Sequence, residues 1–405
     1  MLAGGATAQI EHVIHISFDG LRGDMLRTLM ETQAYSYPNF VKLRAEGAST
    51  LNARCDHGVS LTIPNHTSML TGLPLKAVPG GPAWQQHGYT NNYPGPDQTL
   101  HANGVPAGYK PSVFDRVHDR GLRTMLLGSK EKFGFYDRSY DAQHGAPDLD
   151  GVDNGRDKID VALVRDADSS VLIAVLTAFM DADFPAYTFI HVFDPDSAGH
   201  VFGWGTLEWV LSVKQCDALL GLIFSALELR PALKSVTAVV VTADHGGGVP
   251  AKLHDDPAAI ENYTIPVFLW GPGIPRRVDA HSLFLNRTDP GASRPENDAP
   301  SPPLRNGDTG NIALALLGLP AIEGSLYQPV WAGQLEVATT AEGEIECAWP
   351  RLWAGWVLES TTDLNQVPWS RVEAAPVASS DGARWVYKAP RSSLPQQYFR
   401  LRGPQ

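Results

Sequence analysis

The sequence predicts an α/β fold, a mostly parallel central sheet sandwiched by helices, followed by a small C-terminal β module. Three observations predict it. Short apolar runs rich in β-branched residues alternate with helical patterns. Several runs stop at an aspartate or a glycine, as buried strands of a parallel sheet do. After about Ala338 the pattern changes to short aromatic segments separated by polar turns.

The elements follow in order. His12 to Phe18 reads as a buried strand that stops at Asp19-Gly20. Pro38 to Glu46 reads as a helix with a proline start and Gly47 as its stop. Ser112 to Arg120 repeats that scheme before Gly121. Strands are expected at Thr124 to Leu127, Tyr187 to Phe193, Val236 to Thr242 and Ile265 to Trp270. Helices are expected over Val161 to Met180, Leu207 to Leu229 and Asn311 to Leu317. Such alternation implies a sheet covered on both faces. The polar, proline-rich stretch from Asn286 to Arg305 reads as a long loop. Residues 10–338 are expected to form the main domain and 339–405 the β module. Strands of the module are expected within Trp353 to Leu364, Trp369 to Val372 and Gln397 to Leu401. Trp353, Trp356, Trp369 and Trp385 are expected in its core rather than on a carbohydrate-binding face.

Composition narrows the function. With 43% hydrophobic and 19% charged residues, the 405-residue chain reads as an ordinary globular protein. Lys and Arg number 32 against 44 Asp and Glu, a net charge of −12. That balance argues against binding a nucleic-acid duplex, and it repels an anionic substrate unless cations sit in the site. Cys55, Cys216 and Cys347 follow no metal-binding spacing and read as free buried thiols. No apolar run approaches the roughly 18–20 residues of a membrane span. Ala6-Thr7-Ala8 before Gln9 looks like the small-residue end of an export signal. A secreted protein, periplasmic or extracellular, with its signal absent or truncated is therefore expected. The oligomeric state is left open.

Ligands of open α/β sheets bind at the carboxyl ends of the strands, and the chemistry-bearing residues gather there. Asp19 ends the first strand, Asp194 and Asp196 follow Phe193, and Asp244 and His245 follow Thr242. Asp196 and His200 are four apart, on one face of a helical turn, where they can share a cation. The same spacing also fits a helix-surface pair. Glycines after Asp244-His245 let the backbone approach a ligand closely. Thr62, in Ser60-Leu-Thr62-Ile-Pro-Asn-His66, precedes a short helical stretch from Thr67 to Leu70. A hydroxyl there meets helix N–H groups and an anionic phosphate. Simple capping by Thr62, Ser60 or Asn65 is the alternative.

Together these motifs resemble the alkaline phosphatase superfamily, and within it the type I phosphodiesterase/nucleotide pyrophosphatase branch. They arrive in that family's order: Phe18-Asp19-Gly20, Thr62-Ile-Pro-Asn-His66 with Thr71-Gly72, Asp196-Ser-Ala-Gly-His200, Ala243-Asp244-His245-Gly246, then His254 upstream of Pro266 to Gly273. The resemblance covers roughly residues 10–330. It implies an alkaline phosphatase-like fold and a two-zinc hydrolase of small-molecule phosphodiesters or nucleotide pyrophosphates, working through a phospho-threonine at Thr62. It implies that Asp196, His200 and His254 bind one Zn2+. Asp19, Asp244 and His245 bind the other, which also contacts Thr62. Asn92, downstream of a segment from Lys76 to Gln86 that looks inserted, would donate to a phosphoryl oxygen. Lys130 and Lys132 lie where some monoesterases of the superfamily hold the extra charge of a phosphate monoester; otherwise they are solvated. Cys55-Asp-His-Gly-Val59 does not match the sulfatase pattern, and the inserted domain of cofactor-independent phosphoglycerate mutase is not found. Two alternatives stand beside this reading: a phosphomonoesterase at the same site, and a non-catalytic binding protein that keeps the fold.

Overall fold

A computed structural model of the chain describes residues 10–149, 155–332, 335–340, 343–350, 357–363, 369–379, 384–390 and 397–402. Ala6 to Ala8, Trp353 and Trp356 lie outside the described residues.

The central sheet holds β1 (His12–Phe18), β2 (Ala48–Arg54), β3 (Thr124–Gly128), β4 (Val161–Val164), β5 (Tyr187–Val192), β6 (Thr237–Thr242), β7 (Thr264–Trp270) and β8 (Val278–Asp279). Their order is β4-β3-β5-β1-β6-β7-β2-β8. The first five are mutually parallel. β7 runs antiparallel to β6, and β2 antiparallel to β7. The sheet is thus mostly parallel, as expected. β3, β5 and β6 are buried along their whole length, so helices cover both faces. Because β1, β3, β5 and β6 share one direction, the segments after Phe18, Gly128, Val192 and Thr242 emerge at the same edge.

Local chemistry sets the helix boundaries. Ser112 and Asp115 form a reciprocal capping box that starts the helix Val113–His118. Pro38 and Pro195 occupy the first turns of Pro38–Glu46 and Asp194–Phe202, where a missing N–H costs nothing.

The structure corrects several expectations. The helix expected over Val161 to Met180 is instead edge strand β4 followed by the helix Asp168–Met180. Val161-Ala-Leu-Val164 pairs with β3, and the break at Asp166 to Asp168 restarts the chain as a helix. The helix expected from Thr67 begins five residues earlier, spanning Thr62–Thr71, and every residue in it is buried. Burial on all sides explains why no amphipathic pattern marked its start. β2 went unrecognised because Ser49, Thr50 and Asn52 interrupt its apolar pattern. The helix Leu207–Glu228, with 22 residues, is long and apolar enough to cross a membrane by length and composition alone. Here its inner face packs into the core through Trp209, Val213, Leu220 and Ile223. Its buried Asp217 accepts hydrogen bonds from the Asn39 and Phe40 N–H groups.

The C-terminal region forms two small antiparallel sheets. One contains Glu336–Thr339, Glu344–Pro350, Val377–Ala378 and Arg384–Pro390; the other contains Val357–Thr361, Ser370–Arg371 and Tyr398–Arg402. Cys347, Trp349 and Leu358 form a separate apolar cluster, with Trp385 packed against it as expected. Trp369 lies under the Arg400 guanidinium at 4.4 Å instead. All three cysteines are free and buried, as read from their spacing.

Candidate active site

Thr62 is the first residue of its helix and is buried. Leu61 before it is extended and offers no side-chain cap; Asn92 Oδ1 takes the Ile63 N–H instead. The surrounding hydrogen bonds fix the first turn. His66 Nδ1–H donates to Thr62 O at 2.8 Å, and Tyr136 Oη–H donates to Ile63 O at 2.7 Å. Asn65, expected as a cap, is a cross-link: its Oδ1 accepts from Asp56 N–H and Asn306 Nδ2.

The expected metal ligands converge from separate segments. His200 Nε2 lies 3.3 Å from Asp196 Oδ1, His254 Nε2 lies 3.7 Å from it, and the two imidazole nitrogens are 3.2 Å apart. His245 Nε2 lies 3.4 Å from Asp19 Oδ1 and 3.2 Å from Asp244 Oδ2. The rings of His245 and His254 stack with centroids 3.8 Å apart, so the two sets adjoin. Gly20 permits this approach. Its φ is +69°, and a Cβ there would meet Asp196 Cα at 2.9 Å.

Tautomers follow from backbone carbonyls. His200 Nδ1–H donates to Lys252 O, His245 Nδ1–H to Gly246 O, and His254 Nδ1–H to Ser60 O. Each neutral ring therefore presents its Nε2 lone pair to the shared space, although Asp196 beside His200 raises that imidazole's pKa and favours its protonated form. The carboxylates are tethered in the same one-sided way. Asp244 Oδ1 accepts from the Gly20 and His245 N–H groups. Asp19 Oδ2 accepts from Lys130 Nζ at 2.6 Å and His191 Nε2 at 3.0 Å. Asp196 Oδ2 accepts from Lys130 Nζ at 2.7 Å. The remaining atoms, Asp19 Oδ1, Asp196 Oδ1, Asp244 Oδ2 and His245 Nε2, are buried and find no hydrogen-bond partner among the described residues. Buried lone pairs facing one another are costly, and a cation removes that cost. Donors on a tetrahedral ion about 2 Å away stand about 3.3 Å apart, close to the histidine–carboxylate distances above. In this site the groups whose donor atoms all lie within 4.8 Å of one another are Asp196, His200 and His254, and Asp19, Asp196 and His245, with Asp244 reached through His245. The donor set fits N/O-ligated metal ions.

Electrostatics agree. Burial, with Asp19 and Asp196 nearby, pushes the Asp244 carboxyl well above its usual range. Burial opposes ionisation of Asp19 too, but Lys130 and His191 hold its carboxyl well below the usual range. Burial and neighbouring His245 push His254 down to about 3, keeping it neutral and ready to ligate.

A cavity of about 760 Å3 opens onto these groups, lined by Thr62, Asn92, Lys130, Lys132, His200 and His254 among others. Asn92 Oδ1 accepts from the Ile63 N–H at 2.9 Å and from Lys132 Nζ at 3.3 Å. Its amide is thereby fixed beside Thr62 through the oxygen, which leaves its Nδ2 donors to other partners. Lys130 is not solvated: its ammonium bridges Asp19 and Asp196, one carboxylate from each donor set.

Two contributors escaped the sequence reading. His191 sits inside the apolar run of β5, where nothing marks it. Trp204 lies between Asp196 and Asp244 in sequence but wedges beneath both donor sets. Its Nε1–H donates to Gly20 O at 2.9 Å, and a Cβ on Gly199 or Gly247 would strike its ring at 2.6 or 2.3 Å. We expect Trp204→Ala to cost about 3–5 kcal/mol by chemical denaturation. Trp204→Phe, which keeps most of the volume and loses one hydrogen bond, should cost much less.

Fold and site together define an alkaline phosphatase-like protein: a hydroxyl at a helix start, with acidic and imidazole donors at the carboxyl ends of a mostly parallel sheet. The chain belongs to the type I phosphodiesterase/nucleotide pyrophosphatase family, whose model matches residues 13–77 and 88–264. The gap between the matched stretches, residues 78–87, overlaps the segment from Lys76 to Gln86 read as inserted. No curated protein matches the chain. Two solved structures of murine ectonucleotide pyrophosphatase/phosphodiesterase 5, one of them an inactive form in complex with AMP, align at 12% identity and a TM-score of 0.48. They cover 77% and 76% of this chain and 96% of theirs.

Proposed function

We propose that this chain is a two-zinc hydrolase of small-molecule phosphodiesters or nucleotide pyrophosphates that uses Thr62 as its nucleophile. The observation that carries the reading is the convergence of unpaired buried donors from Asp19, Asp196, Asp244 and His245 beside the Thr62 helix start. Asp196, His200 and His254 would hold one Zn2+, and Asp19, Asp244 and His245 the other, next to Thr62. When bound, the two ions supply Lewis acidity that favours the threonine alkoxide and offsets negative charge on the phosphoryl oxygens. The Thr62 Oγ1–P bond forms as the P–O bond to the leaving alcohol breaks. Water then cleaves the phospho-threonine, releasing the phosphate product and restoring the hydroxyl. Asn92 and Lys132 orient the phosphoryl group through hydrogen bonds. Lys130 holds Asp19 and Asp196 each by one oxygen, leaving the other for a cation.

A phosphomonoesterase is the second reading, favoured by the Lys132 ammonium at the cavity, which suits the extra charge of a monoester. Turnover of bis-p-nitrophenyl phosphate against p-nitrophenyl phosphate by zinc-loaded protein tests the choice. A diester preference supports the primary reading, and a strong monoester preference replaces it. Absence of turnover for both leaves the binding-protein alternative. Burial and the Lys130 ammonium push Lys132 down to about 8. Its charge is therefore lost as pH rises through that value. We expect KM to rise above about pH 8 while kcat stays flat. Lys132→Ala should raise KM about tenfold at pH 7 and remove the alkaline limb.

A further inference from the structure

We propose that this site, on the phosphoesterase reading above, takes substrates whose leaving group is uncharged and apolar, seated against Val201 and Leu253.

The cavity has two unlike walls. One carries Thr62, Asn92 and Lys132, whose hydroxyl, amide and ammonium groups complement a phosphoryl group, with Tyr93 beside Lys132. The other passes through His200 and His254, and their immediate chain neighbours Val201 and Leu253 line it as well. Val201 is 57% exposed and Leu253 43%, so two branched aliphatic side chains stand in solvent at the mouth of the cavity, which Leu61, Tyr93 and Phe193 also line. They are not on a loose rim. Lys252 O accepts from His200 Nδ1–H at 2.9 Å, and Lys252 Nζ donates to Val201 O at 2.8 Å. Gly248 N–H donates to Leu253 O at 2.8 Å. Those bonds tie the segment after His200 to the segment before His254. They also engage the Lys252 ammonium with a carbonyl, so it is not offered to an anion.

A displacement at phosphorus expels the leaving oxygen away from the attacking hydroxyl. Asn92 Oδ1 holds the Ile63 N–H next to Thr62, so the departing group is directed away from Asn92 and Lys132, toward His200 and His254. Burying exposed aliphatic surface against an apolar group is favourable and scales with the area covered. Asp255 lines the same wall, and a carboxylate there repels an anionic leaving group such as a second phosphate. The pairing selects uncharged alcohols or phenols over the phosphate leaving group of a pyrophosphate bond.

The test uses full-length zinc-loaded protein and methyl 4-alkylphenyl phosphates bearing methyl, propyl or hexyl chains, with the corresponding monoesters in parallel. The phenols share nearly the same acidity, so chain length reports on contact rather than on leaving-group chemistry. From methyl to propyl, kcat/KM should rise about four- to tenfold, and a 4-carboxyethyl group should fall below methyl. In Val201→Ser/Leu253→Ser the propyl-to-methyl ratio should fall toward one. That ratio does not depend on the fraction of protein that is active, so partial misfolding does not mask it. Turnover without chain-length dependence, or an unchanged ratio in the double variant, overturns the proposal. So does preference for a 4-trimethylammoniomethyl group over propyl, which would mean that the carboxylates lining the cavity, Asp255, Glu131 or Asp166, select a cation rather than an apolar group. Absence of turnover for every ester sinks the phosphoesterase reading itself, and this inference with it.

Discussion

Thr62→Ala is expected to reduce phosphoester hydrolysis by about a thousandfold or more, the usual cost of deleting a nucleophile, while the protein stays folded and keeps its metal. The second half of that expectation follows from the structure. The Thr62 backbone, not its hydroxyl, receives the His66 hydrogen bond, and Leu61 rather than Thr62 precedes the helix. Alanine also suits a helix first turn. Metal content, circular dichroism and turnover measured on one preparation separate the two effects. Thr62→Ser, which keeps the oxygen, should retain measurable activity and accumulate a phosphorylated enzyme detectable by mass. Undiminished turnover in Thr62→Ala would remove Thr62 from the mechanism and with it the phospho-threonine.

Asp244→Asn is expected to have opposite effects on stability with and without metal. The asparagine Oδ1 still accepts the Gly20 and His245 N–H groups. In metal-free protein the substitution removes a buried carboxylate that burial, Asp19 and Asp196 all oppose. Stability should therefore rise, by about 1–3 kcal/mol at neutral pH. The sign with pH follows from the raised folded-state pKa. Protonated Asp244 stabilises the metal-free fold below its ordinary value of 3.8, and that contribution is lost as pH rises through the raised one. The gain from asparagine should vanish in acid and grow toward neutrality. With zinc the order reverses. The wild type should gain stability as RT ln(1 + [Zn2+]/Kd), and the variant, lacking one anionic donor, should gain far less and lose activity. Thermal melts in chelator and in excess zinc decide the matter; parallel shifts in both conditions would mean that Asp244 meets no cation.

Much of this molecule was legible before folding was considered. The β-branched runs ending in Phe18-Asp19-Gly20 and Thr242-Ala-Asp244-His245 read correctly as buried strands feeding a common edge, because a parallel sheet needs continuous apolar strands. The donor types were legible from the ordered set of motifs rather than from each residue, because an aspartate–histidine pair after a strand is by itself more often a loop pair or a cap. The all-buried helix at Thr62 and the edge strand Val161–Val164 were misjudged, since neither periodicity nor composition separates a short buried helix from a strand.

By itself, the sequence determined the layered α/β architecture, the ordered motifs and the kinds of atom available for catalysis. Only the tertiary structure decided which of those atoms meet. His254 reaches Asp196 across 58 residues of chain (254 − 196), and Lys130 reaches Asp19 across 111. Such contacts depend on strand order and on backbone carbonyls that set each imidazole tautomer. Local preferences act over a few residues, whereas the unpaired oxygen and nitrogen lone pairs face one another only once the sheet has brought its strand ends together.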